Sequence, residues 1–540
     1  MVERKASMLP LLILSAAQFV MVLDSSVMNV SISQIVADLN TTIQGVQSAI
    51  TLYTLVMAAF MLVGAKLGDI YGRDRIFAIG LAVYGLGSLT TALSPNLTVL
   101  LIGWSGIEGI GAVMVIPAIA ALIAANYEGK QRAFAYGIVG GVSGAAIAAG
   151  PLIGGWVTTE FSWRYVFAGE VVIVIGVLLL RRRMQPAPRA ERRPHLDYVG
   201  AALSAIGLGL SVLAILQSST WGWLKPKQPP TIAGHELTPF GLAPTLFVVL
   251  GGVCIIGLFA MWEERRNRRG KDTLLDRTLT KIVPLRAGLL TLSMQQLILM
   301  GTFFILPVYL QVVLGLDAFE TGKRLFPMSL SILVAALAGP RLAARWAPRP
   351  VVQVGLAAMV VGALVMMGTL DVQLNGAGFT LSLVLFGIGA GLLFSQLGNV
   401  IMSSAPTEKT NEAGGLQGTA QNLGASLGTA LIGAILLTSL SAGFAARVLK
   451  NSALPDETRT ALAQEAKKGL DIVPVAQVEQ QAKDAGLSDT EAAAVAQDYG
   501  DAQLFGLKVS LFAVAVFAVL AFWFTRRLPG RDKEKAPSYA

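Results

Sequence analysis

Cysteine occurs once and histidine twice in this 540-residue chain. That scarcity excludes a disulfide scaffold and most metal sites. Charge is scarce too: 14% of residues are Asp, Glu, Lys or Arg, where a soluble domain carries nearer 25%. There is no phosphate-binding glycine loop, no His-rich or paired-Cys constellation, and neither histidine falls inside an apolar run. Those absences argue against an enzyme and against a bound cofactor. What fills the space is apolar: 54% hydrophobic residues and a mean hydropathy of +0.63. The net charge of +9 does not imply nucleic acid, because basic loops gathered at one membrane leaflet give the same excess.

Apolar runs of about 20 residues, the length of a bilayer crossing, recur along the chain. We place fourteen, at 9–32, 46–66, 76–94, 98–124, 134–155, 164–181, 198–217, 242–262, 286–313, 325–343, 351–370, 378–402, 413–438 and 504–525. The expected fold is an all-α polytopic membrane protein. An even number of spans puts both termini on one side. Roughly 30 of the 42 Lys and Arg fall in the termini and the even-numbered loops, so that side is expected to be cytoplasmic, at the inner or plasma membrane of the cell. Tryptophans agree: Trp156, Trp163, Trp221 and Trp223 fall at expected outer ends, and Trp262, Trp346 and Trp523 at inner ends.

The same reading divides the chain. Residues 1–181 form a first six-helix bundle, 182–197 a basic cytoplasmic linker, and 198–262 two additional spans. A basic cytoplasmic loop follows at 263–285, then a second six-helix bundle at 286–526, and a cytoplasmic tail at 527–540. The second bundle carries a polar excursion at 440–502, too long for an idle loop. Its "SDTE" at 488–491 has the spacing of a helix capping box. A short helical hairpin is expected there, as a lid or a spacer.

Glycine is abundant, at 57 residues, and patterned. In "YGIVGGVSGAAIAAGPLIGG" (136–155) the four-residue spacing of glycines lets two helices approach backbone to backbone. Gly150-Pro151 is expected to kink that run. The contact is either plain packing or a moving seal. In "GAKLGDIYGRDR" (64–75), Gly64, Gly68 and Gly72 recur every four residues, and Asp69 and Arg73 can pair at a helix end. "GPRLAARWAPR" (339–349) echoes that loop at the matching place in the second half, as in transporters built from repeats.

These stretches carry a family likeness. "GAKLGDIYGRDR" resembles the loop signature of the major facilitator superfamily. "LDSSVMNVSIS" (23–33) is similar to the first-helix motif of its fourteen-span drug:proton antiporters (EmrB/QacA type). "GAAIAAGPLIGG" (144–155) resembles their antiporter motif, "SWRYVF" (162–167) their entry to helix six, and "GGLQGTAQNLGASLG" (414–428) their thirteenth helix. The resemblance implies two six-helix bundles around a central cavity, two extra helices between them, and alternating access driven by the proton gradient. It makes Asp24 the first-helix acid. Gly64, Asp69, Gly72 and Arg73 become the gating loop, and Gly150, Pro151, Gly154 and Gly155 the antiporter motif. One departure stands out. In "LIGWSGIEGIGAV" (101–113), Ser105 replaces the family's arginine and Glu108 its glutamine; Glu170 stands where an asparagine is usual.

Asp24, Glu108 and Glu170 therefore lie well inside spans of the first bundle, with no Lys or Arg at similar depth. Glu108 is about 20 Å in from Pro95, and Glu170 about 10 Å from the outer end of its helix. An acid without a basic partner in low dielectric can take a proton near neutral pH and yield it to an arriving cation. Blander roles stay open. Asp24, beside Ser25, Ser26 and Asn29, suits a helix bend. Glu108 suits a structural bond to Ser105, and Glu170 suits a solvated group at the interface. The second bundle offers amides instead, with Gln295, Gln296, Gln396, Asn399 and Gln417 near Phe303. That mixture suits a loosely specific amphiphile cavity, or hydrogen bonds between helices.

The expected function is a proton-coupled exporter of hydrophobic, cationic drugs or amphiphiles. The expected partners are such substrates, protons and membrane lipids. Neither nucleic acid nor metal is expected, and a monomer suffices. Lys323 and Arg324 at the outer start of the tenth run support an alternative, export or flipping of a lipid or other anionic amphiphile. A sensor or scaffold without transport is a third reading, resting on the missing arginine.

Overall fold

The computed structural model describes residues 8–530 apart from 128, 185–194, 233–234, 276, 344, 375 and 407–408. Most of the basic linker and the tail beyond 530 lie outside the described residues. The first bundle comprises α1 (Leu9–Val30), α2 (Ile43–Tyr71), α3 (Arg73–Ala92), α4 (an unbroken helical stretch over 97–126), α5 (Gly129–Glu160) and α6 (Arg164–Leu180). Next come α7 (Tyr198–Leu216) and α8 (Pro244–Arg268). The second bundle comprises α9 (Val283–Val308), α10 (Ala318–Ala343), α11 (Pro348–Thr369), α12 (Gly376–Ser404), α13 (Thr410–Val448) and α14 (Asp489–Thr525). Among the described residues, thirteen of these helices are long and apolar enough to cross a membrane. The fourteenth, α6, has 17 residues, which still reaches about 25 Å. Among the described residues the strand content is one antiparallel pair of two-residue strands in the α7–α8 connection, Thr231 facing Glu236 and Ile232 facing His235.

Each run is helical for the same reason. In a bilayer every backbone N–H and C=O needs a partner within its own segment. The boundaries follow capping chemistry. Thr42 accepts from the Gly45 N–H to open α2, and Gly72, at φ +98°, ends α2 and starts α3. A positive φ is comfortable for glycine alone among common residues, which explains the glycine at that turn. α5 runs through Pro151 as one helix from 129 to 160. Pro151 therefore does not end the helix.

α7 and α8 pack on each other through Gly207 and Gly252. A Cβ on Gly207 would meet the Gly252 carbonyl at 3.1 Å. α7 also touches both bundles. Val212 and Leu216 join Leu55 of α2 and Ala430 of α13 in one buried cluster. α7 thus lies along the seam where α2 meets α13, with α8 packed on its outer side.

The 440–502 excursion is shorter than its polar composition suggests, because α13 runs on to Val448 and α14 begins at Asp489. Between them are helices Asp456–Lys468 and Val475–Asp484. The Ser488 capping box is present, with both reciprocal bonds to Glu491. Leu454, Ala463, Ala466 and Ile472 are buried, and Tyr499 of α14 donates to the Asp471 carbonyl. The excursion is therefore packed onto α13 and α14.

Candidate functional site

Three helices of the first bundle bring three carboxyls to one place. Asp24 lies in α1, Glu108 in α4 and Glu170 in α6, and one carboxylate oxygen from each lies within 4.8 Å of the other two. Their exposures are 0%, 0% and 1%. The local backbone explains the meeting. Leu101–Glu108 is wound as a π-helix, a wider turn that shifts the side chains after it out of α-register and recurs at functional sites. α3 then comes against α4 almost backbone to backbone. A Cβ on Gly87 would sit 2.5 Å from the Glu108 nitrogen, and one on Gly111 2.5 Å from the Tyr84 nitrogen. Any larger residue at those two positions would hold Tyr84 and Ser88 away from the acids.

Donors fix one oxygen of two of the acids. The Trp104 indole N–H donates to Asp24 Oδ1 at 2.7 Å. The Tyr84 and Ser88 hydroxyls donate to Glu170 Oε2 at 3.2 and 2.9 Å. Asp24 Oδ2, Glu170 Oε1 and both Glu108 oxygens have no hydrogen-bond partner. Tyr53 of α2 stacks on Trp104, with ring centroids 4.6 Å apart, and its buried hydroxyl is also unpartnered. Among the described residues, no Lys or Arg acts on the three carboxyls. Three like charges this close in an apolar interior, with no basic counter-ion, would oppose folding by several kcal/mol each. The carboxyls must therefore be neutralised, by protons or by another cation.

The blander roles fare differently. Ser105 donates to the Ala49 carbonyl at 2.8 Å, so it is not Glu108's partner. Asn29 donates to the Ser25 carbonyl, while Asp24 turns to Trp104, away from its own helix. Glu170 is buried, because α6 packs against α3. Trp163 is fully buried too and donates to Asp38, so it is a packing residue and not an interface anchor.

Sequence reasoning missed Trp104, Tyr53, Tyr84 and Ser88. The signal was available for Trp104: of the eight tryptophans, it lies within a span, whereas the other seven fall near span ends.

In the second bundle two of the five amides donate to backbone. Gln295 donates to the Ala390 carbonyl and Gln396 to that of Gly339. Phe303 is part of the main core. Gln417 is half-buried beside Gly398, and Asn399 is exposed. Gln296 is buried with its carbonyl oxygen unpartnered.

The family model for the Major Facilitator Superfamily matches residues 14–429. The chain belongs to that superfamily. It is a multi-pass membrane transporter and not an enzyme. It is 27% identical over 428 residues to the tetracenomycin C resistance and export protein of Streptomyces glaucescens, covering 79% of this chain and 75% of that one. It is 29% identical over 430 residues to the puromycin resistance protein of Streptomyces alboniger, covering 79% and 81%. It is 28% identical over 448 residues to the multidrug efflux pump LfrA of Mycolicibacterium smegmatis, covering 79% and 84%. In fold it is similar to a bacterial homolog of the human lysosomal transporter Spinster, in an inward-facing and occupied conformation. That likeness has a TM-score of 0.59 and 16% identity over 96% of this chain and 95% of that one.

A transporter of this superfamily must make and break contacts between its bundles, and these contacts lie at both ends. At the end bearing the termini, Lys66 of α2 pairs with Glu412 of α13 at 2.8 Å. Asp69 and Arg73 pair at 3.1 Å across the Gly72 turn, while Gly64 lets α2 touch the Val113 carbonyl of α4. At the opposite end, Gly150 and Gly154 press on Ser26 and Val27 of α1. Gly155 meets the Ala318 carbonyl, and the Pro151 carbonyl meets Gly322. The Phe319 N–H donates to Thr159 at 3.1 Å. The glycine-rich face of α5 thus joins α1 within its bundle to α10 across the gap.

Proposed function

We propose that this transporter is a proton-coupled exporter of hydrophobic, cationic drugs or amphiphiles, working by alternating access as a monomer in the cell membrane. The observation that carries this reading is the carboxyl chamber: three buried acids from three helices, four oxygens without donors, and no basic partner. Such a chamber can hold protons on one side of the membrane and exchange them for a cation on the other. The relatives named as resistance, export and efflux proteins support the direction of transport. In the second bundle the half-buried Gln417 and the exposed Asn399 are proposed to face the substrate. Asp69, Arg73 and the Gly72 turn are proposed as the gate, and Gly150, Pro151, Gly154 and Gly155 as the seal. The anionic-amphiphile alternative has less support, because Lys323 is paired with Glu320 and lies over Phe319.

Efflux from proteoliposomes with an imposed pH gradient tests the proposal. A cationic dye should move uphill with the gradient and stop when a protonophore collapses it. Gradient-independent movement would sink proton coupling, and no movement of any cationic or neutral dye would sink drug export. Orientation follows from impermeant thiol labelling after removal of Cys254. In intact cells Lys467→Cys should label and Arg183→Cys should not. The reverse pattern would invert the topology.

A further inference from the structure

We propose that the chamber of Asp24, Glu108, Glu170 and Tyr53 also takes a dehydrated Na+ ion, in place of one of its protons. The inference rests on reading these acids as the coupling centre. It adds which inorganic cation they accept.

The donor set is all oxygen. Among the described residues it includes no imidazole or thiolate, which argues against zinc, copper and iron and for a hard cation. The geometry sets an upper limit on its size. Two oxygens on opposite sides of a hard cation held at about 2.1–2.4 Å are about 4.2–4.8 Å apart. The three carboxylate oxygens lie within 4.8 Å of one another.

A second observation comes from outside the acids. Tyr53 is 1% exposed and its hydroxyl has no hydrogen-bond partner. Stacked on Trp104, it lies near Asp24 at the edge of hydrogen-bond range, without a well-formed bond. A buried hydroxyl without a partner is costly to leave so. As a neutral fourth ligand it would be satisfied.

The site is also held in place. The Trp104 bond to Asp24 Oδ1 and the Tyr84 and Ser88 bonds to Glu170 Oε2 leave Oδ2 and Oε1 free to coordinate. Outer bonds of this kind orient ligands at built ion sites.

Charge selects a monovalent ion. Three carboxyls are neutralised by one Na+ and two protons. A divalent ion with one proton also balances, but it pays a larger desolvation cost at each entry and exit. A coupling ion must leave on every cycle.

The test uses the purified full-length protein and 22Na+. At pH 8.5 we expect saturable binding, displaced by unlabelled Na+ but not by equal K+, and at least about tenfold weaker at pH 6 as protons compete. Glu108→Gln should abolish it, and Gln295→Leu should not. Tyr53→Phe keeps the ring stack and loses one oxygen, so it should weaken Na+ by about tenfold or more without lowering the melting temperature. Absence of binding above the Glu108→Gln background between pH 6 and 9 would overturn the proposal. So would Ca2+ displacing the label at lower concentration than Na+. Dye efflux in Na+-free choline buffer separates the two readings. Efflux on a pH gradient with no 22Na+ binding leaves the proton reading standing and removes this one. Efflux on a Na+ gradient alone does the reverse.

Discussion

The two bundles share one architecture and bury different polar groups, clustered carboxyls in the first and scattered amides in the second. The first gathers three carboxyls at one point and leaves four of their oxygens without donors. The second scatters amides whose N–H groups reach neighbouring backbones, Gln295 to Ala390 and Gln396 to Gly339, while their carbonyl oxygens, like that of Gln296, stay without donors. An amide brings its own donor, so it can close a helix-to-helix bond and stay neutral. A carboxylate brings acceptors alone, and without donors its charge state depends on what else enters. On the proposed function, the first bundle is the half whose charge changes during a cycle. The second keeps its amides neutral throughout.

The largest expected effect tests that division directly. Glu108→Gln should lower gradient-driven efflux at least about tenfold, with dye binding retained. Gln295→Leu should keep efflux within about threefold, since an amide bond to backbone contributes about 1 kcal/mol. Equal losses in the two variants would erase the distinction between the bundles.

Next comes the support of the chamber. Trp104→Phe keeps an aromatic against Tyr53 but removes the donor to Asp24. It should destabilise the protein by about 1.5–3 kcal/mol, the range for hydrogen bonds to charged groups, as read by thermal unfolding in detergent. No change would mean that Asp24 finds another donor.

Close packing gives a slightly smaller contrast. Gly87→Ala drives a methyl into the Glu108 backbone and should cost about 1–3 kcal/mol. In the second bundle Gly398→Ala meets nothing nearer than the Gln417 amide at 3.7 Å and should change stability by less than about 0.5 kcal/mol. A reversal would show that α3 and α4 do not approach as described.

The smallest effects belong to the links at the terminus-bearing end. Lys66→Met removes a half-buried ion pair worth about 0.2–1 kcal/mol. It should shift the balance of open and closed forms by less than about fivefold, measured by spin-label distances between the bundles. Asp69→Asn should slow turnover while dye affinity stays unchanged. A matching loss of affinity would make Asp69 part of the binding site.

The fold was legible because the bilayer imposes one pattern, a long apolar run, on every crossing. Where helices outlast that pattern the reading fell short. α13 and α14 continue into amphipathic segments whose polar faces look like loop, although the capping box at Ser488 marked one true start. The three acids were legible singly, since a carboxylate in an apolar run is conspicuous. Their meeting was not. It depends on the π-helix at Leu101–Glu108 and on the close approach at Gly87 and Gly111, and both concern which helix lies beside which. Trp104 escaped notice because indoles are expected at interfaces. The roles of Gln295 and Gln396 stayed ambiguous because a glutamine facing a cavity and one facing a neighbouring carbonyl are the same letter at the same spacing.

α7 and α8 carry a consequence for how this protein tolerates change. Of the apolar stretch of α8, 11% is buried, and Leu250, Val253, Leu258 and Met261 are all exposed. Acyl chains impose no particular shape on the side chains they touch. Aliphatic exchanges at those positions should accumulate freely, while Gly207, Ser211 and Gly252, where the two helices meet within 3 Å of a would-be Cβ, should resist replacement. The identity of this helix pair is thus written in a narrow strip of small residues, and the rest of its surface is free to drift.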